Sequence, residues 1–481
     1  MASLTRRTII LIICRALNFG VQLLSPVFLT RILDEHAFGQ YQEFILYAMI
    51  SAVIVAFSIP TNLIYFMPKR PERERQAVTN SALFLLLTSV AGVLAIFLGR
   101  DLIRSQTHYD FVVPLMLYVF FFVNLDFFES YCLGKKRTMA VLYYSTARTV
   151  ARIASVVAAA YFTKDVMFVL KIMIVVEAAK CAFLAFFFRG HFTKHLDFAL
   201  VREQLRFIVP LGWAEVIGYC NSVLAKLVIS VTMGVEALAL YVIGSYQVPV
   251  ISIIRSSVID ALFPEMTIAC ERDRLRLWQR ANVVFCFMIF PVFAVFMFHA
   301  RTVVVTLFPD QYVAAVPLFR IYLAMMILQC FEMGTPLRTA NQNRSFVFGS
   351  ILSLAVDIGF ILAFFRVIGF IAPALAIVLG EISIALYLGK KVMNIYSVGV
   401  GGLFMWRKIF SVVAACFAAS PALFAGEMFA LNPVVRAVVF SCLYLAVYLL
   451  VVGRFGVEEI ELIREKAIGI VRRTALRGGR S

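Results

Sequence analysis

Charge is scarce in this chain. Only 15% of its 481 residues are charged, against 62% hydrophobic. Soluble globular proteins carry about 25% charged residues, so that class is excluded. No stretch between apolar runs exceeds about 20 residues, too short for a separate soluble domain. The nine cysteines include no C-x-x-C pair, which implies neither a zinc site nor a disulfide framework. There is no D-x-D motif and no Gly-rich phosphate loop. The one close histidine pair, His191 and His195, has no adjacent Glu and reads as a solvated loop rather than a metal site. The first apolar segment carries Arg15 and lacks a small-residue cleavage site, so it is expected to remain as a helix.

Long apolar runs are what the chain has instead. A helix of about 20 apolar residues spans a ~30 Å hydrocarbon core, and helices satisfy their own backbone hydrogen bonds there. The expected spans are 8–29, 43–67, 77–99, 111–132, 140–162, 166–188, 206–231, 237–262, 281–300, 317–337, 346–366, 368–388, 405–427 and 434–452. The fold class is all-α polytopic membrane protein, with about 14 transmembrane helices.

The loop charges orient it. Lys69 to Arg75, Lys135 to Arg137, Arg189 to Arg206, Arg272 to Arg280, Lys390, Lys391, Arg407 and Lys408 all fall on one side with the basic tail. About 30 of the 45 Lys and Arg lie on that side and about 7 on the other, which makes it the cytoplasmic side. Both termini are expected there. The net charge of +17 is therefore a topology signal, and no basic soluble domain exists to bind nucleic acid.

The chain also reads as internally duplicated. Residues 29–41 align without a gap with 229–241, matching Ala37 to Ala237 and Tyr41 to Tyr241. Each segment follows the first helix of a six-helix half, and an even number of helices makes the halves a parallel repeat around a central cavity. The expected organisation is a first lobe over 1–200, a second over 201–395, an additional helix pair over 396–453 and a basic amphipathic cytosolic tail over 454–481.

Particular residues carry a family likeness. Thr30, Arg31, Leu33, Phe38, Gly39 and Tyr41 resemble the outer turn after the first helix in polysaccharide and O-antigen flippases. The segment 210–241, with 224–229, Gly234, Val235 and Glu236, is similar to their seventh helix and its turn. Residues 308–317, with Tyr312, Ala314 and Ala315, are similar as well. The chain departs from the pattern at Asp34 and Ala239, where the family often has glycine, and at Ala225, where an acid is common. The resemblance covers the layout of 5–395. It implies a member of the multidrug, lipid-linked oligosaccharide and polysaccharide exporter superfamily that moves an undecaprenyl-diphosphate-linked sugar unit to the outer leaflet of a bacterial inner membrane. Membrane lipids and polysaccharide polymerase machinery are then the expected partners, and a monomer the expected state.

Moving hydroxyls and a diphosphate through an apolar slab requires a polar, cationic path, since each unpaired polar group costs about 2–7 kcal/mol there. The spans supply cations at Arg15, Arg148, Arg152, Lys171, Lys180, Lys226, Arg255 and Arg320. Arg15 and Arg255 lie about 10 Å from the inner surface, and Arg148 and Arg152 share one helix face. These four, with Lys226, are the candidate diphosphate residues, because Arg makes bidentate phosphate contacts. Structural pairing or snorkelling is the rival reading for each. Lys171 and Arg320 sit near outer ends, where snorkelling is favoured, and Lys180 is expected to pair with Glu177. Asn18, Gln22, Asn62 and Gln247 are candidates for the sugar path, although helix–helix polar contacts are the stronger reading for most such residues. Glu215, Asn221 and Asp357 are the candidate site for a coupling Na+ or H+; no other cofactor and no metal centre is expected. A competing reading is an ion-coupled multidrug or metabolite antiporter of the same superfamily. A membrane enzyme is disfavoured by the short loops and the lack of a clustered acid/base site.

The charge count makes a direct prediction. Alkaline phosphatase fused after Lys164 will be active and fused after Lys136 inactive, and a fluorescent protein fused after Ser481 will fluoresce; the reverse pattern overturns the orientation.

Overall fold

The computed structural model describes residue 20, residues 24–123, 125–193 and 197–246, isolated positions between 251 and 268, and residues 269–340 and 342–454. Among them all regular structure is helical. Among the described residues nine helical stretches are long and apolar enough to cross a membrane. Arg344–Tyr396 holds two helices of 26 and 25 residues, each long enough to span by itself. Helices Thr138–Thr163 and Val166–Phe188 are 26 and 23 residues long but fall outside the nine, and they carry the buried charge described below. The first expected span lies almost wholly outside the described residues, so fourteen stays an expectation. The chain is a multi-pass membrane protein.

Contacts divide it into two compact units, Met1–Ile243 with Ile368–Pro373 and Gly244–Val367 with Ala374–Ser481. The duplicated halves are expected to divide at 200/201, whereas contact first divides the chain at 243/244.

Unit 1 contains α1 (Glu35–Ala56), α2 (Thr61–Lys69), α3 (Glu74–Leu98), α4 (Arg100–Gln106), α5 (Val112–Phe122), α6 (Leu125–Gly134), α7 (Thr138–Thr163), α8 (Val166–Phe188), α9 (Phe198–Met233) and α10 (Val235–Gly244). Local chemistry sets the ends. Asp34, Asp165 and Asp197 each stand just before a helix and accept backbone N–H bonds from its first turn, satisfying donors that have no partner within the helix. The break between α1 and α2 falls at Phe57 and Ser58, both in the left-handed region (φ 42° and 57°), just before Pro60. Transporters commonly interrupt a span this way. With 36 residues, α9 is about 54 Å long and outruns the hydrocarbon core. Its N-terminal end is held by polar ties to the turn before α3: Arg73 to Asp197 at 2.6 Å and Arg70 to Glu203 at 2.8 Å. Deeper, Asn80 donates to Gln204 at 3.0 Å, both buried.

Unit 2 contains α11 (Glu271–Phe298), α12 (Ala300–Leu307), α13 (Val316–Gln329), α14 (Gly334–Thr339), α15 (Asn343–Ile368), α16 (Ala372–Tyr396), α17 (Trp406–Ala419) and α18 (Pro433–Arg454). Buried Trp278 on α11 donates its indole N–H to the Glu332 carbonyl at 2.5 Å. The Glu332 carboxylate in turn accepts the N–H groups of Gly334 and Thr335 at the start of α14. The last helix is anchored on α11 by Tyr448, whose hydroxyl donates to the Phe287 carbonyl at 2.9 Å. The tail, expected to be cytosolic, lies outside the described residues from 455 onward.

The apolar side chains face two ways. Phe38, Phe44, Tyr118 and Tyr241 are buried between helices, while Leu98, Phe162, Val367 and Leu450 are more than two-thirds exposed, as lipid-facing positions must be. Close helix approach then depends on small residues. Gly39 in the first turns of α1 lies against the Val235 backbone at the start of α10, nearer than any Cβ tolerates. Gly39→Val will lower the thermal midpoint in detergent, by the equivalent of about 1–3 kcal/mol of overpacking, while a change at lipid-facing Leu98 to Val will not; a thermal-shift series checks both.

A cationic cavity in the first unit

Arg148 and Arg152 lie one turn apart on α7 and line a cavity of about 360 Å³ with Tyr41 of α1, Phe122 of α5 and Glu177 of α8. Arg148 pairs with Glu129 of α6 at 3.0 Å, both side chains about four-fifths buried. Lys180 pairs with Glu177 one turn earlier on α8, and both are buried. The expected i,i+3 pair is therefore present. Arg152 and Lys180 flank the Phe122 ring, 5.6 Å and 5.5 Å from its centre, which stabilises cations through the ring's quadrupole. Among the described side chains, three cations thus face two carboxylates. Arg152 makes no ion pair among the described residues, and these described groups sum to one net positive charge beside a cavity.

The other sequence candidates are spread more widely. Arg15, Asn18, Gln22 and Gln247 lie outside the described residues. Asn62 is fully buried on α2, just past the helix break, and neither atom of its amide has a hydrogen-bond partner among the described residues. Glu215 on α9 accepts a hydrogen bond from Ser58 in that break. Asn221 and Lys226 are half-buried further along α9. Glu215 and Asn221 belong to unit 1 and Asp357 to unit 2.

In unit 2, Arg255 lines a separate cavity of about 260 Å³ with Glu332, Arg338 and Glu381. Asp357 on α15 is 1% exposed, and its Oδ1 has no hydrogen-bond partner among the described residues. It packs against Gly380, where any side chain would strike the carboxyl group. A buried carboxyl without a partner is a place where a proton or Na+ can be taken up.

Sequence reading missed one cluster. Glu43 on α1 is fully buried in unit 1, where it accepts from Ser230 of α9 at 2.8 Å and from the His108 backbone at 3.2 Å. Beside it His36 meets Glu236 at 3.0 Å. The loop carrying His108 is pinned by Asp110, whose carboxyl is held below the usual range by a hydrogen bond from Arg104 and another from the Val112 N–H. Nothing local signals these contacts, because the partners are 65, 187 and 200 residues apart.

Comparison with known proteins gives three findings. A family model described as polysaccharide biosynthesis protein matches residues 4–270. No curated protein sequence matches. Solved structures share the fold: lipid II flippase MurJ in an inward closed conformation has a TM-score of 0.69 at 12% identity, covering 94% of this chain and 98% of that one. An inward-facing multidrug resistance MATE family transporter of the MOP superfamily has a TM-score of 0.59 at 14% identity, covering 80% and 96%. A MOP superfamily transporter from Pyrococcus furiosus, described as having a binding pocket of reverse polarity, has a TM-score of 0.53 at 13% identity, covering 81% and 96%.

Removing one partner of a buried pair leaves an uncompensated charge, at a cost of about 3–5 kcal/mol. Glu177→Ala will therefore lower the thermal midpoint sharply, and adding Lys180→Met will restore most of it. A single variant as stable as wild type would show that the pair is solvated.

Proposed function

We propose, because this chain belongs to the polysaccharide biosynthesis protein family, that it flips an undecaprenyl-diphosphate-linked oligosaccharide from the cytoplasmic to the outer leaflet of a bacterial inner membrane. The observation that carries the reading is the cationic cavity of unit 1, where Arg152 makes no ion pair among the described residues. A diphosphate offers the two-oxygen edges that a guanidinium fork recognises, and in a half-buried site such bonds are strong. Arg148, oriented by Glu129, is the second phosphate group, and Phe122 steadies the cations between substrates. Arg15, Arg255 and Lys226 are further phosphate contacts on the path; buried Asn62, with its unpartnered amide, is a hydrogen-bonding stop for sugar hydroxyls. Asn18, Gln22 and Gln247 extend that path on sequence alone. The lipid tail stays in the bilayer while the headgroup crosses.

An inside-negative potential favours outward movement of an anion by about 2.3 kcal/mol per charge per 100 mV. Coupling to H+ or Na+ at Asp357 adds a second driving force, with Glu215 and Asn221 as further candidates. That same carboxyl is the one observation favouring the other reading, an ion-coupled antiporter.

The test is transport of a fluorescent polyprenyl-diphosphate oligosaccharide in proteoliposomes. Wild type will transport it, Arg152→Gln will lower the rate at least ten-fold, and Asp357→Asn will remove any dependence on an ion gradient. Efflux of a cationic dye by wild type without movement of the lipid-linked sugar sinks the flippase reading in favour of the antiporter.

A further inference from the structure

We propose a second binding site in unit 1, an inner docking pocket that receives the phosphate and sugar hydroxyls of the lipid-linked substrate before it crosses. The identity of the headgroup rests on the flippase reading above; the pocket itself rests on geometry. It has a volume of about 780 Å³ and lies where the turns 71–76, 131–137 and 187–193 converge. That volume is within the range of small-molecule sites, roughly 300–1,000 Å³. Loop charge assigns all three turns to the cytoplasmic side. None of its residues lines the cavity around Arg152.

Its wall contains two buried polar atoms with no hydrogen-bond partner among the described residues, Gln76 Oε1 and His191 Nδ1. Native structures leave few such atoms unpaired, and here two belong to residues that line one pocket. The His191 ring is fixed: it stacks on Phe187 with centres 5.5 Å apart and planes 13° from parallel, and stands edge-on to Tyr131 at 5.5 Å. The turn carrying it is tied to α3, where Thr79 accepts the Thr193 N–H at 2.9 Å. An amide oxygen and an imidazole nitrogen held beside aromatic walls suit a sugar, whose C–H face packs on rings while its hydroxyls bond outward.

The charges select a phosphate next to that sugar. Lys135 is neutralised by Glu74. Arg75 and Arg137 make no ion pair among the described residues, and of the remaining lining groups only Glu72 opposes them. The balance is one net positive charge carried by guanidinium groups, as a phosphorylated headgroup requires. A diphosphate-linked sugar presents both chemistries on adjacent atoms. An anionic phospholipid headgroup offers the phosphate with fewer hydroxyls and no ring to stack.

The test uses the full-length protein in phosphatidylcholine nanodiscs and a soluble probe, farnesyl-diphosphate-linked N-acetylglucosamine. An Arg152→Gln background weakens the central cavity, so that residual saturable binding reports the pocket. Adding His191→Ala or Arg137→Gln to that background is expected to weaken binding at least five-fold. His191→Gln, which keeps a hydrogen-bonding group, should recover part of the loss, and so separates a binding role from simple misfolding. No saturable binding in the Arg152→Gln protein, or binding that ignores both pocket changes, overturns the proposal. So does displacement of the probe by phosphatidylglycerol at equal concentration, which gives the pocket to bulk lipid. Flipping by otherwise wild-type protein is measured in parallel. If it transports and the pocket changes have no effect on binding, the pocket alone fails; if it neither transports nor binds, the flippase reading fails with it.

Discussion

A charge inside an apolar slab must be paired, bonded or exposed to water, and the arrangement of unit 1 follows from that constraint. Arg148 with Glu129 and Lys180 with Glu177 satisfy it within the protein. Arg152 satisfies it only in part, through the Phe122 face and a cavity roomy enough for solvent or a ligand. The Arg148–Glu129 pair fastens α6 to α7 and the Lys180–Glu177 pair stays within α8, so the groups that stabilise the unit also shape its cationic wall. The loss of apolarity that keeps α7 and α8 out of the set of obvious spans comes from the same side chains.

The two units use buried polar groups differently. In unit 1 the buried charge is mostly paired and cationic in balance. In unit 2 the corresponding feature is acidic, with Asp357 buried against Gly380 beside Glu381. A cationic wall suits an anionic headgroup, and a lone buried carboxyl suits a small cation.

The sequence displayed some of this and hid the rest for physical reasons. Apolar length and loop charge made the polytopic class plain, because bilayer thickness dictates span length whatever the tertiary packing. The Lys180–Glu177 pair was legible because residues three apart on a helix are neighbours. The Arg148–Glu129 pair was not, since a partner on another helix leaves no periodic trace. Glu43 escaped notice for the same reason: at the end of its span it looks like an interfacial acid, and only the fold brings Ser230 and His108 to it. The helix break at Phe57 and Ser58 was foreshadowed by Pro60 alone, one of many prolines that membrane helices tolerate.

His36 and Glu236 are separated by 200 residues, the offset at which segments 29–41 and 229–241 align, so in the duplication expected from the sequence each is the other's counterpart. Between two separate identical copies, a residue on the two-fold axis meets only its own image: acid faces acid, or histidine faces histidine. One continuous chain is released from that rule. Its counterpart positions are free to hold a donor and an acceptor, a complementary pair that a symmetric dimer of identical halves cannot form at its axis. The contact is thus a mark of asymmetry, a place where joining two halves in one chain lets each carry a different residue.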